Sequence, residues 1–339
     1  MHLLLDVRTS TLSDRVHISS ALIWADAWKV YHPHDTITFL AYEGDPVEDY
    51  ECVFLRRSWK LFEQKIAAHA YGPDRIISFS KLPSIDTSIP MILHIHDLTD
   101  TLYPLSKRGI IDHHIHDYRT KKKLKQARHI IIPSQEIGAN ISELYNIDES
   151  KMSVIPYITA EDSAFYKQKT ILPMGISAPY FLTECTPGEE WHPIELLRTF
   201  AHYIHDHNGD HKLVMVGDLG GNLGIISTLI RSLDILDAVK IIGVPWVEDR
   251  NTLYAHAAGW IYVWHYYSRW ASVALADGYG IPLYLSDIPG LEGYRAHYLH
   301  PNHIHTLAAL LAREPQKYEK IKKPDNKLIM EVYAQLITS

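Results

Sequence analysis

At 339 residues, 46% of them hydrophobic and 22% charged, the chain is too long for one ordinary core and fits two soluble domains with a cleft between them. Its net charge of −7 argues against general nucleic-acid binding, which needs a basic face, and Cys52 and Cys185 are too few for a zinc site or a disulfide framework. No run reaches the roughly 20 apolar residues of a membrane helix, and MHLLLDVRTS is broken by Asp6 too soon for a signal-peptide core, so a reducing cytoplasm is the simplest home.

Residues 2 to 5 read as a short apolar strand ending at Asp6, followed by a polar loop from Arg8 to Asp14 and a helix from Val16 to Tyr31. Strands follow at Thr36 to Tyr42 and Cys52 to Leu55, then a helix around Lys60 to Ala70, then strands at Arg75 to Phe79 and Met91 to His96. Asp117 to Arg128 is a basic helical segment. Ala127 to Pro133 is a buried strand leading to Ser134, a good N-cap for the helix Gln135 to Tyr145. Lys151 to Tyr157 closes the first half. KQKTILPMGISAP at 167 to 179 holds two prolines and a glycine between patterned segments and reads as a linker.

The second half repeats the alternation. Strands are expected at Tyr180 to Thr183, Lys212 to Val216, Val239 to Val244, Trp260 to Trp264 and Pro282 to Leu285. Helices are expected at Pro193 to His207, Ile225 to Ile235, Glu248 to Ala258, Ser272 to Asp277 and Lys327 to Thr338. Such alternation predicts an α/β chain of two Rossmann-like domains with parallel sheets. The 22 histidines cluster at His113, His114 and His116 and from His202 to His207. These clusters lack a regular ligand spacing with a supporting acid, so they read as amphipathic surface and no metal is expected.

Several strings in this order resemble the GT-B fold, and in particular the family 4, group 1 glycosyltransferases. Ile92-Leu93-His94-Ile95-His96-Asp97-Leu98 looks like the family's strand ending in a His-Asp pair, and Ile130-Ile131-Ile132-Pro133-Ser134 like its strand into a serine-capped helix. Lys151 to Pro156 with Phe165, Lys212 to Gly217, Ile242-Gly243-Val244 with Leu253-Tyr254, and Gly280 to Leu291 continue the match over most of the chain. The resemblance implies an acceptor domain at 1–166, the linker at 167–179, a nucleotide-sugar domain at 180–320 and a C-terminal helix at 321–339 that returns to the first domain. It also implies a nucleotide diphosphate sugar as donor, retention of anomeric configuration, and no cofactor or metal.

The chain departs from the family at its donor site. The loop from Glu184 to His192 holds neither the family's Arg nor its Lys and carries three carboxylates, an arrangement that repels diphosphate. The family's two donor glutamates, aligned back from Pro282, fall on Tyr267 and Leu275, and aligned forward from Trp260 on Ser268 and Ala276, with Asp277 one or two places off. Thr9 to Arg15 has no glycine where the family has a glycine-rich turn.

His96, at a strand end, is the first catalytic candidate, placed to hydrogen-bond the donor sugar or assist the acceptor, with Asp97 orienting the ring or capping the next loop. Arg269, before the helix that begins near Ser272, is read as replacing the missing cations, flanked by Tyr267, Ser268 and Trp270; its competing reading is a surface arginine stacked on an aromatic ring. Trp246 after Val244 is placed to stack on a nucleobase or to pack under the next helix. Gly217 and Asp218 head a glycine-rich loop, and Asp277 completes the donor set. The cations from Arg119 to Arg128 form a solvated helix face, with weak peripheral contact to the inner face of a membrane as the minority reading. The leading function is transfer of a sugar to a glycan, lipid-linked or small acceptor. The alternative is an inactive binding subunit that supports a partner transferase.

Overall fold

The segment His2–Asp6, β1, is buried beyond its first residue, the mark of a parallel strand covered on both faces. The computed structural model describes residues 1–8, 15–45, 47, 49–59, 61–82, 88–96, 98, 101, 110–155, 172, 175–177, 179–185, 193–243, 245, 247–264, 270–288, 291, 294–313 and 326–339. They fall into two compact units, one built on residues 1–165, 268–271 and 323–339, the other on 166–267 and 272–322.

In the first unit β1 is followed by α1 (Arg15–Tyr31), β2 (Thr36–Tyr42), β3 (Glu51–Leu55), α2 (Leu61–His69), β4 (Arg75–Ser78), β5 (Met91–His94), α3 (Ile110–Gln126), β6 (His129–Ile132), α4 (Gln135–Tyr145) and β7 (Met152–Val154). The strands form one parallel sheet in the order β3-β2-β1-β4-β5-β6-β7. The order reverses direction between β1 and β4, where register sets Asp6 against Ser78. Ser134 caps α4 as its residue type demands, accepting from the Ile137 N–H, and Asn146 ends the helix at φ 53°.

Trp24 and Trp28, one helical turn apart on α1, stack at 5.0 Å and fill the core with Phe39 and Phe79. The C-terminal helix, α10 (Asn326–Thr338), adds Ile329, Met330, Tyr333 and Ile337 to that core. Arg75 Nε donates to the carbonyl of Ile337 at 3.0 Å, and Arg128 donates to that of Ser339, so two carbonyls at the end of the helix have side-chain partners on the first unit.

In the second unit come β8 (Tyr180–Cys185), α5 (Pro193–Asp206), β9 (Lys212–Gly217), α6 (Leu223–Ser232), β10 (Val239–Ile242), α7 (Val247–His256), β11 (Gly259–Tyr262), α8 (Trp270–Gly278), β12 (Leu283–Ser286), β13 (Ala296–Leu299) and the short α9 (Leu307–Leu311). Their sheet is again parallel, in the order β10-β9-β8-β11-β12-β13. Trp260 and Tyr262 on β11 and Trp264 two residues past its end stack in a row, with ring centroids 5.5 and 5.1 Å apart.

Two sequence expectations shift. The basic helix begins at Ile110 and not Asp117. β13 and α9 were not expected; in β13, Ala-His-Tyr-Leu is an edge strand in which only Leu299 is buried, so it lacks the apolar run that marks the other strands.

Candidate active site in a GT-B fold

The sheet of the first unit ends in a buried polar cluster at its reversal point. Asp6, the last residue of β1, is 1% exposed, and Arg8 curls back beside it at 2% exposure. Arg8 donates from Nε to Oδ1 at 2.8 Å and from Nη2 to Oδ2 at 3.0 Å, and its Nη1 reaches Gln64 Oε1 on α2 at 2.7 Å. Burial alone would raise the Asp6 pKa, but the guanidinium and its hydrogen bonds outweigh it and hold the carboxyl below its usual range.

Ser78 Oγ donates to Asp6 Oδ2 at 3.1 Å and accepts from Lys123 Nζ at 3.0 Å. Lys123 also donates to the carbonyls of Ser80 and Leu82. Desolvation pushes the Lys123 ammonium down to about 7, against the pull of Asp6.

Next to this cluster the rings of His17 and His96 stack at 4.1 Å, and those of Phe79 and His94 at 4.2 Å. Tyr333 of α10 sits with its hydroxyl 3.3 Å from His94 Nε2. Burial pushes His94 down to about 3. Burial, then repulsion from His17, His94 and Lys81, holds His96 well below the usual histidine range. Both rings are therefore neutral at physiological pH. A cavity of about 50 Å³ opens here, walled by Ser80, His94, His96, Thr101, Thr120 and Lys123 among others.

In the second unit the end of β8 is the polar centre. Glu184 accepts from Tyr254 Oη at 2.7 Å and from Ser272 Oγ at 2.6 Å, and all three side chains are buried. Burial and the Glu184 charge drive the Tyr254 hydroxyl far above its ordinary pKa. Beside it Gly217 pairs with Cys185 at φ 126°, and a Cβ there would stand 2.3 Å from the Cys185 carbonyl oxygen. Glycine is required on both counts. Asp218 then turns the chain, accepting from the Gly220 N–H at 2.7 Å.

No protein-family model matches the chain, and no curated protein matches it in sequence. Solved structures match it over nearly the whole length. Anabaena HepE in complex with UDP-glucose superposes with a TM-score of 0.67 at 15% identity, covering 100% of this chain and 99% of that one. Sucrose-phosphate synthase from Thermosynechococcus elongatus gives 0.62 at 13% identity, covering 100% and 96%. UDP-GlcNAc 2-epimerase from Methanocaldococcus jannaschii gives 0.58 at 13%, covering 100% of both. The chain has the GT-B fold of these structures, two Rossmann-like units each built on a parallel sheet.

In this GT-B chain the candidate residues separate by unit. His96 lines the cavity of the first unit at 7% exposure. A group that resists protonation so strongly is a poor general base, so its chemistry is that of a neutral hydrogen-bonding ring. In the second unit Gly217 and Ser272 converge on the end of β8 through Cys185 and Glu184. The Ser272 hydroxyl, in the first turn of α8, is committed to Glu184. Asp277 is buried near the end of α8, and its carbonyl accepts from the Gly280 N–H. The backbone of Trp270 opens α8. Asp97, Val244, Trp246, Tyr267, Ser268 and Arg269 lie outside the described residues.

Two readings change. Glu184 is the fifth residue of β8, not the head of an acidic loop, and its carboxylate is tied to α7 and α8. Lys123 is buried inside the basic run of α3, so the cations from Arg119 to Arg128 do not share one solvated face. Sequence reasoning passed over the Asp6, Arg8, Ser78 and Lys123 cluster. Its members are scattered along the chain, and the one local signal was an acid closing an apolar strand with an arginine two residues on. No described helix is long and apolar enough to cross a membrane, and no group of metal-ligating side chains assembles among the described residues.

Proposed function

We propose that the chain is a glycosyltransferase that moves a sugar from a nucleotide diphosphate sugar to a glycan, lipid-linked or small acceptor, with retention and without a metal. The observation that carries this reading is the end-to-end likeness to HepE in complex with UDP-glucose. The donor is held by the second unit, at the ends of β8 and β9, where Gly217 brings backbone close and the first turn of α8 offers N–H groups to phosphate. Arg269 supplies the cation that the segment after β8 lacks, with Val244, Trp246, Tyr267, Ser268, Trp270 and Asp277 completing the donor set. His96 orients sugar or acceptor as a neutral hydrogen-bond partner, and the departing diphosphate is stabilised by the α8 dipole and Arg269.

A second reading, a nucleotide-free binding subunit for a partner transferase, is favoured by one observation. Residues 186–192 contain no Arg or Lys, so the diphosphate has no cation at the position where the group 1 pattern has two. Calorimetric titration of the whole chain with UDP, GDP, ADP, CMP and their sugars decides between them. Saturable micromolar binding of one nucleotide, weakened in Arg269→Ala, supports the transferase. The sugar nucleotide is also incubated without acceptor, because an epimerase shares this fold and would change the sugar with no transfer. Absence of binding to any nucleotide by the folded protein overturns the transferase reading and leaves the binding subunit.

A further inference from the structure

In the first unit's polar cluster one carboxylate faces two buried cations. Asp6 is bound through both oxygens by Arg8, while Lys123 donates its three protons to Ser78 Oγ and the carbonyls of Ser80 and Leu82, all neutral oxygens. Lys123 makes no ion pair among the described residues and is 5% exposed. A buried charge held off its counter-ion is unfavourable, and it is relieved either by loss of the proton or by a bound anion. Lys123 forms part of a cavity wall that also includes Lys81, His96, His116, Thr101 and Thr120, and no carboxylate lines that cavity among the described residues. Its volume of about 50 Å³ holds a few waters at roughly 10–15 Å³ each, or one small oxyanion. It opens beyond the carboxyl ends of parallel strands beside the reversal of strand order, where ligands of such sheets collect.

We propose that this cavity is an oxyanion subsite of the first unit, which takes the phosphate or carboxylate group of an acidic acceptor. The charge comes from Lys123 through the cavity wall, since its own protons are committed. Direct hydrogen bonds come from hydroxyls, foremost Thr120, whose side chain has no hydrogen bond among the described residues. Burial is the first cause of the lowered basicity of both Lys123 and His96, with repulsion from Arg8 adding to it at Lys123 and from His17, His94 and Lys81 at His96. The anion site stands on this geometry alone. Its assignment to the acceptor rests on the glycosyl-transfer reading.

Calorimetric titration of the full chain with inorganic phosphate and, separately, with acetate tests it, for the wild type, Lys123→Met and Thr120→Val, with circular dichroism confirming that each is folded. The expected result is one saturable site, with the stronger of the two anions identifying the acceptor group. Binding falls at least about fivefold in each variant, the loss of roughly 1 kcal/mol of polar interaction. If Lys123→Met does not fold, Thr120→Val decides alone. No saturable binding of either anion to the folded wild type, or binding undiminished in the variants, overturns the subsite. Repeating the titration with saturating UDP separates the two claims. Phosphate binding that persists supports the acceptor assignment, whereas one-for-one displacement gives the cavity to the donor diphosphate. Failure of UDP to bind at all counts against the transferase and leaves the anion site intact.

Discussion

Ser78 Oγ bridges Asp6 and Lys123, donating to the carboxylate at 3.1 Å and accepting from the ammonium at 3.0 Å. Parallel register makes this bridge possible, because β1 and β4 bring Asp6 and Ser78 side by side at the carboxyl ends of the two strands. The same arrangement keeps lysine and carboxylate one side chain apart, so the ammonium is stabilised less than in a direct pair.

This separation predicts a stability that rises with pH above neutrality. The unfolded ammonium titrates near 10.5 and the folded one near 7. Between those values the unfolded chain binds the extra proton, so each pH unit adds up to about 1.4 kcal/mol. Urea midpoints measured at pH 7, 8 and 9 should climb, and Lys123→Met should flatten the climb. A flat wild-type profile would show that Asp6 compensates the Lys123 ammonium more fully than the bridged geometry implies.

The buried imidazoles act at the acid end. His94 and His96 resist protonation in the folded chain, the first down to about 3, whereas unfolded histidine takes up its proton near 6.5. Stability therefore falls as pH drops below 6.5, by up to about 1.4 kcal/mol per unit for each ring. His94→Phe retains the stack on Phe79 and removes one share of that loss. Histidine ring signals followed by NMR from pH 8 to pH 5 should stay at neutral shifts for both residues; titration of either near 6.5 would contradict the burial seen here.

The fold was legible because its signals are local. Buried runs such as Leu3 to Leu5 and Ile130 to Ile132 mark covered parallel strands, and Ser134 announces α4 by the cap it forms. The site was legible only where one residue carries its own constraint, as Gly217 does. Lys123 looked like one more cation in a solvated run, since nothing within α3 says that β4 and the carbonyls after it stand opposite. Glu184 looked like loop because strand length is decided by pairing with β9, which extends to Cys185 against Gly217. Tertiary pairing of distant residues has no trace in a single segment.

Gly217→Ala should damage the second unit out of proportion to one methyl group. The new Cβ meets the Cys185 carbonyl oxygen at 2.3 Å, and φ 126° is closed to L side chains. A loss of about 3 kcal/mol or more follows from strain and displaced strand pairing together. Gly224→Ala in the first turn of α6 is the control, because its Cβ meets nothing within 4 Å and its backbone is helical, so alanine there gives a small gain. Thermal melts of the two variants should move in opposite directions.

Glu184 offers the sharpest contrast between position in sequence and position in space. If it faced the donor diphosphate, removing its charge would tighten nucleotide binding. The structure instead gives both its oxygens to Tyr254 and Ser272, which joins β8 to α7 and α8. Tyr254→Phe and Ser272→Ala should each cost about 1.5–3 kcal/mol, the range for hydrogen bonds to a charged group that stays buried when its partner is lost. The two losses should not add, because both variants act on one carboxylate, and the double variant measures their coupling by chemical denaturation. Glu184→Gln keeps an acceptor oxygen but turns a donor toward one of the two hydroxyls, so it too loses stability. Its nucleotide affinity should stay within about twofold of the wild type, because the removed charge lies inside the unit and is balanced there by hydrogen bonds. A clear gain in affinity for that variant would return Glu184 to the donor site.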